Sequence, residues 1–373
     1  MKICYIADLN QVHSRRWIQE FIDRGHEISV INYVELKQSF FGCKIFDLSK
    51  GKNTLSAIDY LRVVPRVRQI LNEIEPDILH AHAVNCASRL AVLSGFKPCI
   101  ITAWGTDLLL DPKRSLIHKY LIKLLISRVD AVTVNSLFLG KTAISLGLSP
   151  DKLHMVKWGL NLNLFKPGIK VDSLREQLGL LNSLAIISPR SFRPLYNIDI
   201  VCKAIPSVLK IYPNVIFILK KYQADPEYEN KINEMVKVLN MEKSVRFIDY
   251  IEDYSMMAKY YNLADIGISV PSSDSTPDSV MEMMACGVVP VVSDLPTVQE
   301  WNKDGTGGVV VPTGNPERLA EAIIELLKDK ERRTKIIERN LKWTRENYNQ
   351  THWMNVMEEL YMKIMNNSKM GTN

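Results

Sequence analysis

The stretch Val270-Pro271-Ser272-Ser273-Asp274-Ser275-Thr276-Pro277-Asp278-Ser279-Val280-Met281-Glu282-Met283-Met284-Ala285-Cys286-Gly287 decides the reading of this chain. An apolar strand ending at Val270 runs into a polar loop and then a short helix. Thr276 suits the N-cap and Pro277 the first helical position. Gly287 can close the helix in a left-handed turn before Val288-Val289-Pro290-Val291-Val292 opens a new strand. A helix that starts this way offers unpaired N–H groups and a partial positive charge, which suit a pyrophosphate. Glu282 lies one turn beyond Asp278 and Ser279, so the three share a helix face. A carboxylate beside a pyrophosphate needs donors of its own, and the vicinal hydroxyls of a ribose supply two. Without a ligand the same acids read as helix caps, Asp274 and Asp278, and a solvated Glu282.

Outward from this stretch, short β-branched runs alternate with longer amphipathic segments, the pattern of parallel sheets with crossover helices. In the first half the expected strands are Lys2–Ala7, Ile28–Tyr33, Asp77–His82, Cys99–Ala103, Ala131–Val134 and His154–Val156, with a helix over Arg15–Arg24 that stops at Gly25. In the second half they are Leu184–Ser188, Val215–Leu219, Val245–Ile248, Ile266–Val270, Val288–Val292 and Gly308–Val311. Asn161–Leu180, with Pro167 and Gly168 and no strong period, reads as a hinge linker. The expected architecture is two open α/β domains facing across a cleft. Ligands of such sheets sit beyond the carboxyl ends of the strands, which singles out Asp8, His82, Asp107, Asn135 and Arg190 together with the segment from Pro271 to Glu282.

At 373 residues the chain suits two domains, and 46% hydrophobic with 24% charged residues is the balance of a globular protein. No run has the roughly 20 apolar residues that span a bilayer, and Met1-Lys2-Ile3-Cys4-Tyr5-Ile6 enters a strand without secretory architecture. The six cysteines are scattered without close pairs, which argues against a zinc site or disulfide framework and for a reducing compartment. A cytoplasmic location is therefore expected. The net charge of +6 permits an anionic ligand or membrane surface, while dispersed basic residues without aromatic interleaving argue against nucleic acid. A nicotinamide dehydrogenase is disfavoured because no Gly-x-Gly-x-x-Gly follows the first strand.

The deciding stretch resembles retaining glycosyltransferases of family four, of the GT-B fold, whose hallmark is two acids separated by seven residues. Here the two acids are Asp274 and Glu282, flanked by Pro271-Ser272 before them and Met284-Ala285-Cys286-Gly287 after them. The resemblance covers nearly the whole chain. Asp77-Ile78-Leu79-His80-Ala81-His82 looks like the family's first-domain strand, and Trp158-Gly159-Leu160-Asn161 with Phe165-Lys166-Pro167 looks like its hinge. Val288-Pro290-Val291-Val292-Ser293-Asp294 through Glu300, and Gly307-Gly308 through Pro312, look like its closing strands. The resemblance implies an acceptor domain over 1–163, joined by a C-terminal helix over about 355–373 that crosses back to it. It implies a sugar-nucleotide domain over 164–354.

It further implies that Glu282 binds the ribose and Asp274 lies near the donor sugar. Backbone amides of Ser275, Thr276, Pro277, Asp278 and Ser279 would surround sugar and diphosphate. Arg190 matches the diphosphate-binding arginine, and Tyr250-Ile251 the loop that holds the base. The chain departs from the family in three places. Asp274 stands where glutamate is usual. The lysine expected shortly after Arg190 is missing, and Arg193 or Tyr196 stands there instead. Asp8-Leu9-Asn10-Gln11-Val12-His13-Ser14 replaces a glycine-rich loop.

On the acceptor side, Trp104 of Trp104-Gly105-Thr106-Asp107 could stack on a sugar or pack in the core. Asp107 could act as catalytic base and acceptor guide, or cap Leu108–Leu110. His82 with His80 points to one side of a strand. No third metal ligand is evident, so structural or acceptor contacts are favoured over a metal. Asn10 and His13 are further candidates. The basic amphipathic segment 111–128 suits a peripheral membrane contact or an ordinary crossover helix, the latter favoured. The expected activity is retaining, metal-independent transfer from a nucleotide diphosphate-sugar to a hydroxyl of a glycan or lipid-linked acceptor, in cell-surface polysaccharide synthesis, with no cofactor. The catalytic set is Asp274, Asp107 and Arg190. The alternatives are a sugar-nucleotide epimerase on the same fold and a non-catalytic sugar-nucleotide-binding or scaffold protein.

Overall fold

A computed structural model describes the chain except Gln38, Lys50, 52–54, 181–182, Tyr250, Glu252 and 371–373. The chain divides into two compact units, Met1–Trp158 with His352–Asn373, and Gly159–Thr351. The first contains β1 (Lys2–Ile6), α1 (Val12–Asp23), β2 (Glu27–Asn32), β3 (Lys44–Asp47), α2 (Ala57–Ile74), β4 (Ile78–His82), α3 (Cys86–Ser94), β5 (Cys99–Thr102), α4 (Thr106–Leu109), α5 (Leu116–Ser127), β6 (Ala131–Val134), α6 (Leu137–Ser145) and β7 (Leu153–Met155). The second contains α7 (Asp172–Gln177), β8 (Ala185–Ser188), α8 (Ile198–Ile211), β9 (Ile216–Lys220), α9 (Pro226–Val238), β10 (Val245–Ile248), α10 (Tyr254–Asn262), β11 (Ile266–Ser269), α11 (Asp278–Ala285), β12 (Val289–Ser293), β13 (Val309–Val311), α12 (Pro316–Lys328) and α13 (Lys330–Asn347). A final helix, α14 (Gln350–Met370), belongs to the first unit from His352 onward.

Both sheets are parallel, in the orders β3-β2-β1-β4-β5-β6-β7 and β10-β9-β8-β11-β12-β13. Helices cover both faces, so the central strands read as continuous apolar runs, with β4, β5 and β11 buried at every position. The strand order reverses between β1 and β4 in the first unit and between β8 and β11 in the second. At such switch points the connections leave in opposite directions and open a crevice at the carboxyl ends of the strands.

Two readings of the sequence are corrected. No strand was expected between residues 33 and 77, yet β3 pairs with β2 through Lys44–Asp47. Its four residues form a half-exposed edge with charged ends, too short to show a period. The segment 161–180 is also no free linker: it carries α7, and Leu160, Phe165, Leu174 and Leu180 are buried in the core of the second unit.

In the first unit, α14 contributes Met354, Met357 and Tyr361 to the cluster around Ile3, Tyr5, Trp17 and Phe21. The Tyr361 hydroxyl lies 2.6 Å from His80 Nδ1, and His80 Nε2 lies 2.7 Å from the Thr102 hydroxyl. That hydroxyl continues to Thr133 at 2.6 Å, so a polar chain crosses the core from helix to sheet. Burial, with the neighbouring His82, holds the His80 imidazole well below its ordinary range, and burial alone pulls His82 down to about 3. Both histidines are therefore neutral when folded but take up protons when unfolded as the pH falls below the ordinary 6.5. The unfolded chain binds more protons in that window, so folding stability falls with the pH. For His82 the loss runs from 6.5 down to about 3. Each histidine should contribute a slope of about 1.4 kcal/mol per pH unit there. A urea midpoint that stays level from pH 6.5 to 5 would contradict this account.

Candidate functional site

In the second unit, the turn after β8 and the loop after β11 meet at the strand-order reversal, and each is tied to the other. Asn197 Nδ2 donates to the Val270 carbonyl at 2.9 Å, and the Ser272 amide donates to the Leu195 carbonyl at 2.9 Å. The Ser293 hydroxyl donates to the Pro271 carbonyl at 2.7 Å. The loop is thereby fixed before it reaches Asp274.

Arg190 rises from the first turn and is held on three sides. One guanidinium nitrogen donates to Asp274 Oδ2 at 2.7 Å, and another donates to the Ser279 hydroxyl at 3.0 Å. The Tyr196 ring lies 4.3 Å below the guanidinium carbon. Side-chain exposure is 11% for Arg190 and 21% for Asp274, so this ion pair is largely desolvated. Burial works against the arginine's charge and Asp274 more than restores it. For Asp274, burial pushes the carboxyl up against the pull of Arg190 and the Ser275 amide.

The helix α11 starts at Asp278 with Pro277 as its cap, one residue later than the sequence suggested. A proline cap has no side-chain acceptor, and none is used. Gly287 does adopt the left-handed turn, at φ +83°. Ser275, Thr276, Asp278 and Glu282 are all buried. Asp278 accepts from the Tyr348 hydroxyl at 2.8 Å, and Glu282 from the Tyr261 hydroxyl at 3.0 Å. Glu282 is therefore not the solvated side chain of the ligand-free reading. Gly267 lets α11 lie this close to β11: a Cβ there would fall 2.1 Å from the Met283 sulfur.

Other expected residues are placed differently. Arg193 is exposed and donates to the Gln223 carbonyl at 2.8 Å, whereas Arg190 donates to Asp274 and Ser279. Ile251 packs against the core, while Tyr250 lies outside the described residues. Sequence reasoning passed over Tyr261 and Tyr348, which brace the two acids. It also passed over Lys220, the last residue of β9, with Glu282 and Arg190 as its charged neighbours. Lys220 directly follows the expected strand Val215–Leu219, so the carboxyl-end rule could have found it.

In the first unit, Trp17, Trp104 and Trp158 pack around His13 and His82, with ring centroids 5.0–6.3 Å apart. His82 is buried under them, 3.3 Å through Nδ1 from the Ser14 hydroxyl. Asp107 is 4% exposed, and its carboxylate accepts from the backbone amides of Val84 (2.8 Å), Trp104 (3.0 Å) and Gly105 (2.8 Å). Burial nevertheless pushes its carboxyl up. The residue joins the turn after β4 to the turn after β5. Asn10 does similar work after β1, donating to the Glu35 carbonyl at 2.8 Å and accepting from the Lys37 amide at 2.9 Å. No group of three or more potential metal ligands occurs among the described residues.

The comparisons with known proteins follow the same division. The family model of glycosyl transferase 4-like proteins matches residues 2–136, and that of glycosyl transferases group 1 matches residues 171–343. N-acetyl-alpha-D-glucosaminyl L-malate synthase of Bacillus anthracis is 24% identical over 375 aligned positions, covering 95% of this chain and 93% of that protein. D-inositol 3-phosphate glycosyltransferase 1 of Catenulispora acidiphila is 28% identical over 221 residues, 56% of this chain. The chain spans about half the length of that relative, 51%. The crystal structure of Anabaena Alr3699/HepE in complex with UDP and glucose superposes with a TM-score of 0.83 at 18% identity, covering 97% of this chain and all of that one. At that identity the match speaks for the fold.

Proposed function

This chain belongs to glycosyltransferase family four, with the GT-B fold, and we propose that it moves a sugar from a nucleotide diphosphate-sugar to a hydroxyl of a glycan or lipid-linked acceptor, with retention. The observation that carries the proposal is the desolvated Arg190–Asp274–Ser279 cluster beside Glu282, at the strand-order reversal of the second unit. Glu282 would accept from the ribose hydroxyls and Arg190 would face the diphosphate. The first-turn amides of α11 would add a partial positive charge without a metal ion. In the transfer the bond from the anomeric carbon to the diphosphate oxygen breaks and a bond to the acceptor oxygen forms on the same face. The acceptor's proton leaves with the departing phosphate oxygen, the base nearest to it. Asp274 positions Arg190, and Asp107 positions the loop carrying Trp104, whose ring with His13 would meet the acceptor.

The proposed compartment is the cytoplasm, at the inner face of the membrane, and the proposed pathway is cell-surface polysaccharide synthesis. No helix among the described residues is long and apolar enough to cross a membrane. On α5, however, Leu116, Ile117 and Tyr120 are 85%, 71% and 66% exposed, flanked by exposed Lys113, Lys119 and Lys123. Such a surface suits an anionic bilayer.

Calorimetry with UDP, GDP, ADP and their sugars, with and without chelator, tests the donor site. One nucleotide should bind equally well in chelator. Absence of binding at millimolar concentration would remove the proposal. Flotation with anionic vesicles, comparing the wild type with L116E/I117E, tests the surface of α5.

A further inference from the structure

Alternate residues of a strand face the same side of the sheet, and on β9 the residues Ile216 and Ile218 pack into the cluster that holds Tyr261, Val280 and Met283. Lys220 is the next residue on that face, so it stands at the carboxyl end of β9 in the layer of α10 and α11. The preceding Leu219 pairs with Ser188 of β8, which brings Lys220 beside the turn carrying Arg190. Lys221 points to the other face, where Glu229 matches it at 3.2 Å. Lys220 has no such match. Its ammonium lies 5.2 Å from the Tyr222 ring, and among the described residues no hydrogen bond or ion pair reaches it.

The charges around it are unequal. Burial disfavours the ammonium and holds its pKa below the ordinary lysine range, while Glu282 supports the charge and Arg190 opposes it. Arg190 is matched at 2.7 Å by Asp274, so its charge is largely cancelled within the protein. Glu282 remains as its counter-charge, but it does not reach the ammonium as an ion pair, so a half-buried ammonium with unfilled donors stands at the strand-order reversal. Keeping a cation out of water without a partner is costly, and an anion in the site would relieve that cost.

Resting on the donor-site reading above, we propose that Lys220 is a donor-binding residue whose ammonium takes an oxygen of the donor's diphosphate. It supplies from β9 the charge that the chain lacks after Arg190, where Tyr196 lays its ring against the guanidinium instead.

The test is calorimetry on the full chain with UDP, GDP and ADP, followed by the best binder and its parent nucleoside on variants. Lys220→Met keeps most of the stem and removes the charge. It should weaken the diphosphate by about 10- to 100-fold and leave the nucleoside unchanged. Moving the charge back, with Lys220→Met and Tyr196→Lys together, should recover part of the loss. The ligand-free Lys220→Met chain should melt close to the wild type, because no hydrogen bond or ion pair of Lys220 is lost. If the wild type binds a diphosphate and Lys220→Met binds it equally well, the inference about Lys220 falls and the donor site stands. Equal losses for diphosphate and nucleoside would mean a collapsed pocket and also overturn it. If the wild type binds none of the three, the donor-site reading itself falls.

Discussion

Replacing Glu282 with alanine is expected to lower kcat/KM for the donor by about 10²- to 10⁴-fold, because two charge-assisted hydrogen bonds worth about 1.5–3 kcal/mol each are lost. Glu282 is only 6% exposed and sits on the helix face turned toward Asp278 and Ser279. The Tyr261 hydroxyl, 3.0 Å from Oε2, aligns the carboxylate from behind. Tyr261 can give up only a proton there, and burial together with the Glu282 charge keeps that phenol protonated. Glu282→Gln retains one acceptor and turns the other into a donor, so it should lose only about 10- to 100-fold. A donor with 2′-deoxyribose should cost the wild type about as much while costing Glu282→Gln little. Tyr261→Phe leaves the carboxylate in place and should cost far less than Glu282→Ala. Unchanged kinetics in Glu282→Ala, with the fold intact by circular dichroism, would reject the ribose role.

Much of this site was legible in the sequence, because strand ends and helix starts are local features. Val270 to Gly287 contains its own strand exit, helix and left-handed stop, and the buried strands show as apolar runs because helices cover both faces. What escaped was set by pairing across the chain. Tyr348 comes from beyond α13 to meet Asp278, 70 residues away, and Tyr261 is 21 residues from Glu282. No local pattern marks either tyrosine as a brace. Asp107 could be read as base or cap, and only the fold shows amides of two different turns converging on it. Lys220 and Lys221 look alike in sequence. Strand alternation sends one to Glu229 and the other toward Glu282, so one residue of register separates a surface ion pair from a charge in the site.

The ion pair of Arg190 with Asp274 should separate stability from turnover. Removing one partner of a buried pair leaves an unmatched charge and costs about 3–5 kcal/mol, whereas removing both is often neutral. Arg190→Ala would leave the Asp274 carboxylate with the Ser275 amide at 2.9 Å. With side-chain exposures of 11% and 21%, the loss should lie toward the lower end, about 3 kcal/mol by urea denaturation. The double variant Arg190→Ala/Asp274→Ala should recover most of that stability. Turnover should not follow. Arg190 is proposed to meet the negative charge that grows as the diphosphate departs, and a donor of that kind contributes about 10²- to 10³-fold to kcat. Both variants lacking Arg190 should therefore be slowed alike, whatever their stability. Recovery of kcat in the double variant would show that Arg190 acts only by neutralising Asp274, and the diphosphate would then need another cation. Lys220, which makes no ion pair among the described residues and stands beside the same turn, is the group that would have to supply it.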